Sequence, residues 1–287
     1  MNRLHIVLLV LFTCAVGCIP RAGFAFAEEP TKTTEAPLQT VKVNPKDGVE
    51  MVLVPAGEFL MGTSKEQLAT CLEDVPAGID ERKFNDELPQ HSVYLDAYYI
   101  YKTEVTIAQW NRFCKATGRP EAGMMDEVAN WADYPMMGVT WEDAAAYAQW
   151  AGAGLPTEAQ WEKAARGTDG RVYPWGNAWD ARKVVKGHRK AAGTLPADTS
   201  PYGCLDMAGS VWEWCADWYD PAYYKNAPVR NPTGPEKGAT RVMRGGTYSQ
   251  SLPYLFRTTY RSETFPLSRN YFGIGFRCVV RIPEPVR

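Results

Sequence analysis

Histidine is almost absent from this chain. His5, His91 and His188 are the only three in 287 residues. Imidazoles as far apart as His91 and His188 are usually structural or surface groups, not corners of an iron-binding triad. An excess of basic charge is absent too. The 31 Lys and Arg stand against 33 Asp and Glu, for a formal net charge of −2. With no basic excess to hold phosphates, a nucleic-acid binder is not expected. The cysteines show no zinc or thioredoxin spacing. No apolar run has both the length and the flanks of a membrane-spanning helix.

What is present is globular: 45% hydrophobic and 22% charged residues, enough for a sizeable core. The 15 Tyr, 10 Trp, 24 Gly and 21 Pro point to many turns pinned by aromatic packing. The N-terminus reads as a targeting segment. Arg3, the apolar Ile6–Ile19 and Ala25-Phe26-Ala27 make residues 1–27 a cleavable signal peptide. The expected location is therefore exported, either periplasmic or secreted. Ala15-Val16-Gly17-Cys18 allows a lipoprotein anchored at Cys18, which is the one route to a membrane besides an uncleaved anchor. Residues 28–47 read as a disordered linker and 48–287 as the domain. Cleavage leaves Cys71, Cys114, Cys204, Cys215 and Cys278, for which one or two disulfides are expected in an oxidising compartment.

Along the domain, Gly48–Thr63 alternates around Pro55-Ala56-Gly57 and predicts a β-hairpin. Glu66–Leu72 predicts a short helix, followed by a loop carrying Asp80, Glu81, Asp86 and Glu87. Gln90–Lys102 predicts a strand. Three short amphipathic helices follow, each opened by a Thr cap: Thr106–Thr117, Thr140–Ala151 and Thr157–Arg166. Gly118, Gly152 and Gly167 end them. Val172–Asp180 is a compact Trp and Gly turn. Arg241–Tyr248 predicts a strand running into the double glycine Gly245-Gly246. Leu255–Arg261 and Phe272–Arg281 predict two more strands. One α+β domain without tandem repeats results.

The densest stretch is Asp206–Trp218, with three Trp and three acids in thirteen residues. Asp206 and Glu213 flank the small Ala208 and Gly209. A tight turn there would gather two carboxylates and several backbone carbonyls, a donor set suited to Ca²⁺. The ordinary alternative is a Trp-rich core turn whose acids face water or pair with arginine.

The ordered set VPAGEFLMG, KTEVT, VTWEDAAAYAQW, LPTEAQWEKAARG, YPWGN, DMAGSVWEW, RGGTY and GFRC resembles the formylglycine-generating enzyme family, also called the sulfatase-modifying factor domain. The resemblance spans about Gly48–Arg281. It implies an α+β fold related to C-type lectins, with little regular structure. It implies Ca²⁺ held by the side chains of Asp206 and Glu213 and the carbonyls of Met207, Gly209 and Val211. A second Ca²⁺ site of the family has no clear counterpart in Ala181–Gly203. The resemblance also implies two copper-binding Cys shortly after the double glycine, yet Thr247–Phe276 contains none. Copper is therefore not expected, and neither is formylglycine generation by that route. The ergothioneine-type sulfoxide synthases, a second branch, need a His-rich domain that this sequence does not show. A third branch, the exported oxidases of pyoverdine maturation, also lacks the Cys pair.

Two functional readings follow. One is a Ca²⁺-stabilised module that binds a peptide or protein partner. The other is an exported oxidoreductase acting on a peptide or peptide-like small molecule. In the second, chemistry would fall to groove residues near the double glycine: Trp212, Thr247, Tyr248, Gln250, Tyr254, Arg257, Tyr260, Arg261 and Glu263. The ordinary alternative for each is core packing or solvated surface.

Overall fold

The computed structural model describes residues 40–73, 75–120, 131–269 and 273–282. The chain divides into Met1–Pro37 and Leu38–Arg287, and only the second unit is described. The stretch expected to be a signal peptide, and the alternative anchor at Cys18, lie outside the described residues. No helix among those residues is long and apolar enough to cross a membrane.

The four predicted helices form. They are α1 (Lys65–Leu72), α2 (Ile107–Thr117), α3 (Trp141–Trp150) and α4 (Glu158–Arg166). The local reason is the one read from sequence. Thr106, Thr140 and Thr157 each accept a backbone N–H three residues on, and Gln109, Asp143 and Gln160 reach back to close a capping box. Thus α2–α4 start where side chains replace the missing backbone acceptors.

The strands pair differently from expectation. β1 (Val41–Val43) lies inside the stretch read as linker and pairs with β2 (Glu50–Val54). Asn44 and Asp47 behind it are buried, and Asp47 accepts from the hydroxyls of Tyr101 and Tyr147. The ordered domain therefore starts before residue 48, because polar linker composition conceals a few residues whose side chains find partners far along the chain.

The predicted hairpin over 48–63 does not form. β2 pairs with β5 (Tyr98–Tyr101), while β3 (Gly57–Met61) pairs with β4 (His91–Leu95). The two halves make one long antiparallel ribbon, bent at Pro55-Ala56 on one side and Asp96-Ala97 on the other. Proline has no N–H to donate, so the ladder breaks there. The Lys163 ammonium of α4 pins the bend by donating to the carbonyls of Pro55 and Gly57, 2.8 Å each.

A four-stranded sheet runs β1-β2-β5-β10, with β10 at Val279–Arg281. A second runs β8-β7-β6-β9. In it β6 is Trp212–Trp218, β7 Arg241–Arg244, β8 Ser262–Thr264 and β9 Ile274–Gly275, with β6 and β9 parallel. Thus 272–281, read as one strand, is two in different sheets. The strand read at 255–261 is instead a 3₁₀ turn, Pro253–Phe256, and its neighbour β8. Short apolar runs fix burial but not pairing partners.

Two large clusters fill the interior, one around Trp110, Phe113, Tyr147, Trp214 and Phe276, the other around Trp161, Tyr98, Ile100 and Val242. The amphipathic spacing of α4 predicts a solvated face, yet the helix is buried nearly all round, including Glu158, Glu162, Lys163 and Arg166. Its charges are matched internally. Glu158 pairs with Arg244 and Arg261, and Glu162 with Arg166 and Arg244, all at 2.8–2.9 Å.

Among the described residues no disulfide joins Cys71, Cys114, Cys204, Cys215 and Cys278, where one or two bridges are expected, and all but Cys71 are buried. Cys114 and Cys278 lie in one apolar cluster and Cys204 and Cys215 in the other, packed as small buried side chains.

Candidate functional site

The turn before β6 is built on left-handed backbone. Asp206, Gly209 and Ser210 have φ of 59°, 88° and 57°. At Gly209 only glycine fits, since a Cβ would sit 2.4 Å from the carbonyl oxygen of Val185. This turn buries Asp206 and aims it at residues the sequence reading did not foresee. The Asp206 N–H donates to Asp198 at 2.9 Å, and the carboxylate accepts from Gly193 N–H at 2.5 Å. Glu104, in the middle of KTEVT, is fully buried beside it. Burial first, and then Asp206, push Glu104 far above the usual carboxylate range. The same two causes raise Asp198 to about 8, and burial raises Asp206.

Four buried carboxylate oxygens there have no partner: both of Glu104, Oδ1 of Asp198 and Oδ1 of Asp206. The described hydrogen bonds leave the carbonyls of Met207, Gly209 and Val211 unused as well. Uncompensated carboxylates at zero exposure are costly unless protonated or met by a cation. An all-oxygen set of this kind fits Ca²⁺. Among the described residues no three His, Cys, Asp or Glu stand together as a ready cage, so carbonyls would have to complete it.

Glu213 differs from its expected role. Arg277 grips it, with Nε to Oε2 at 2.6 Å and Nη2 to Oε1 at 2.8 Å, and Trp161 donates to Oε2 at 2.9 Å. Its charge is already met, which is the arginine-paired alternative left open by the sequence. Asp206 carries the orphaned oxygen and Glu213 does not. Sequence offered a faint signal for Glu104, an acid wedged between a strand and the apolar Val105-Thr106-Ile107, and none for Asp198 within a polar loop.

The nine groove candidates separate into groups. Thr247, Tyr248 and Gln250 form one turn docked on Ser210. Tyr248 N–H donates to the Ser210 carbonyl at 2.9 Å, and Gln250 accepts from Thr247 N–H at 3.1 Å. Gly246 opens that turn at φ 80°, and a Cβ there would meet Phe256 at 2.9 Å. Trp212, Tyr260 and Tyr254 form a row of rings with centroids 6.1 and 5.9 Å apart, continued by Phe84.

Arg257 and Arg261 leave the candidate set. Arg257 is buried in a bidentate pair with Glu87, at 2.6 and 2.9 Å. Arg261 is buried against Glu158 and also donates to the Asp86 carbonyl. Both serve the interior, because a guanidinium fork can satisfy a buried carboxylate completely. Glu263 sits exposed on β8, opposite Val242. The loop acids Asp86 and Glu87 are buried, not solvated. With α1, their segment covers Tyr254 and Tyr260 through Leu68 and Phe84. His91 proves structural: its ring packs on Tyr224 and Nδ1 lies 2.9 Å from the Pro89 carbonyl.

Comparison with known proteins agrees with this architecture. The profile of the "Sulfatase-modifying factor enzyme 1-like domain" matches residues 37–282. A formylglycine-generating enzyme of Streptomyces coelicolor is 33% identical, over 82% of this chain and 90% of that protein. The solved structure of PvdO from Pseudomonas aeruginosa superposes with a TM-score of 0.67 at 26% identity, covering 84% of this chain and 97% of PvdO. Treponema denticola variable protein 1 shares the fold, with a TM-score of 0.62 at 21% identity, over 86% of this chain and all of that one. The chain therefore belongs to the sulfatase-modifying factor, or formylglycine-generating enzyme, family and has its α+β, C-type-lectin-related fold.

Proposed function

We propose that this protein is an exported, Ca²⁺-stabilised member of the family that binds a peptide or protein partner and lacks copper-dependent formylglycine-generating activity. The observation that carries the reading is the state of its thiols. Thr247–Phe276 has no Cys, and the thiols present elsewhere are poor copper ligands. Burial pushes Cys204 up to about 11 and Cys215 and Cys278 well above the usual thiol range. A Cu(I) site needs accessible thiolate. Calcium is supported by the orphaned oxygens around Asp206, and a rigid interior of buried ion pairs suits a scaffold more than a reaction centre.

Elemental mass spectrometry of the purified mature domain tests this. The expected result is one Ca²⁺ per chain and no stoichiometric copper or iron. Chelation should lower the thermal midpoint, because a ligand at ~100 times its Kd contributes roughly 2.7 kcal/mol. Asp206→Ala should abolish both the calcium and that shift. Stoichiometric copper or iron would overturn the binding-module reading.

A second reading is an oxidoreductase maturing a peptide or peptide-like metabolite, of the pyoverdine-maturation type. The likeness to PvdO and the Trp212–Tyr260–Tyr254 row favour it. Oxygen consumption by the metal-analysed protein with a candidate peptide separates the two.

A further inference from the structure

We propose that the cavity between α1, the aromatic turn at 172–179 and the Pro253–Phe256 turn binds an uncharged aromatic ring bearing a hydroxyl, a ligand of the phenol class. The cavity encloses about 330 Å³, within the lower range of small-molecule sites, roughly 300–1,000 Å³. Its wall includes Thr70, Cys71, Tyr173, Asn177, Trp179 and Tyr254, and no Asp, Glu, Lys or Arg. A cationic ligand would lose its hydration there without finding a carboxylate, and the ammonium groups of Lys83 and Lys186 stand outside the lining, over the Tyr254 and Trp179 rings at 5.2 and 5.8 Å.

Three features select a ring. Tyr173, Trp179 and Tyr254 supply aromatic walls, and a second ring supports each one. Tyr173 stacks on Trp175 at 5.2 Å and 4°, Trp179 on Phe256 at 5.6 Å and 17°, and Tyr254 meets Phe84 edge-on at 5.3 Å. The walls are thus fixed before a ligand arrives, and little ordering cost is left to binding.

Two polar side chains at the exposed rim are complementary. Asn177 Oδ1 accepts from Val172 N–H at 3.1 Å, which orients the amide, and the described hydrogen bonds give its Nδ2 no acceptor. The Thr70 hydroxyl donates to the Glu66 carbonyl at 3.3 Å, so its lone pairs stay available. One donor and one acceptor match a phenolic hydroxyl, which both accepts and donates.

This inference deepens the binding-module reading by naming a ligand chemistry, and it rests on different residues from the calcium site. Calorimetric titration of the Ca²⁺-loaded protein with p-cresol tests it. Saturable one-to-one binding is expected. p-Cresol should also slow iodoacetamide modification of Cys71, read from the Cys71 peptide by mass spectrometry, by about tenfold or more at saturation. Cys71 is the one described thiol that is not buried.

Thr70→Trp, at an exposed position of α1, should fill the cavity and remove the binding while the thermal midpoint holds. N-acetyl-tyrosinamide distinguishes the sources. If it binds like p-cresol, the ring comes from a peptide chain; if only p-cresol binds, it comes from a free small molecule. No saturation by p-cresol, equal binding of 4-methylcyclohexanol, or unchanged binding by Thr70→Trp would overturn the proposal. Calcium content measured on the same samples would be untouched by any of these, so the two readings fail separately.

Discussion

Arg277→Met is expected to destabilise the domain by about 3–5 kcal/mol or more. Arg277 is fully buried and makes five hydrogen bonds. Two go to Glu213, and the others to the carbonyls of Tyr101, Lys102 and Leu205 at 2.9–3.1 Å. Its charge also opposes the upward push of burial on Glu104, Asp198 and Asp206. Removing one partner of a buried pair costs about 3–5 kcal/mol, against a total stability of roughly 5–15 kcal/mol. The orphaned carbonyls add to that loss. The measurement is the urea midpoint, or the soluble fraction where no midpoint can be reached. Pairing the change with Glu213→Leu should recover part of the loss, because the uncompensated charge is gone. A single Arg277→Met variant within ~1 kcal/mol of the parent would show that this pair does not hold the two sheets together.

The second large effect is a pH dependence set by Asp217. It lies in β6, is 3% exposed, and accepts the Glu158 N–H at 2.8 Å, tying the strand to the first turn of α4. Burial, then the Glu158 charge, raise it to about 8. An unfolded Asp titrates near ~3.9. Between those values the folded state holds a proton that the unfolded state has lost. Stability from this group is therefore fully present at the acid end and falls as pH rises towards 8, by about 1.4 kcal/mol per unit.

Asp217→Asn keeps the acceptor and removes the titration. It should match the parent near pH 4 and exceed it by a margin that grows towards pH 8. Urea unfolding of both proteins at pH 5, 6.5 and 8 reads the difference. Other buried carboxylates titrate in both proteins, so the difference isolates Asp217. Parallel slopes for parent and variant would show that Asp217 stays ionised in the fold.

Much of the local structure was legible because its causes are local. Thr106, Thr140 and Thr157 cap helices through atoms three residues away. Gly118, Gly152 and Gly167 supply the positive φ that ends or follows them. Strand partners were not legible, because β2 and β3 alternate as a hairpin would yet find β5 and β4 across more than thirty residues. The candidate site divides the same way. Asp206 and its turn could be read from DMAGSVWEW, since small residues and acids in that order force a tight bend. Glu104 and Asp198 could not, because nothing in their neighbours records that β5 and the loop before Cys204 meet there.

The sequence by itself determined the family, the capped helices, the Trp-rich turn and the loss of the cysteine pair, since each is written in contiguous residues. Only the tertiary structure decided which charges matter. It turned Arg257 and Arg261 from groove candidates into partners of Glu87 and Glu158, tied Glu213 to Arg277, and gathered Glu104, Asp198 and Asp206 with buried oxygens that no described hydrogen bond meets. The reason is physical. The fate of a charged side chain depends on what the rest of the chain brings within about 3 Å of it, and that distance is not a property of sequence spacing.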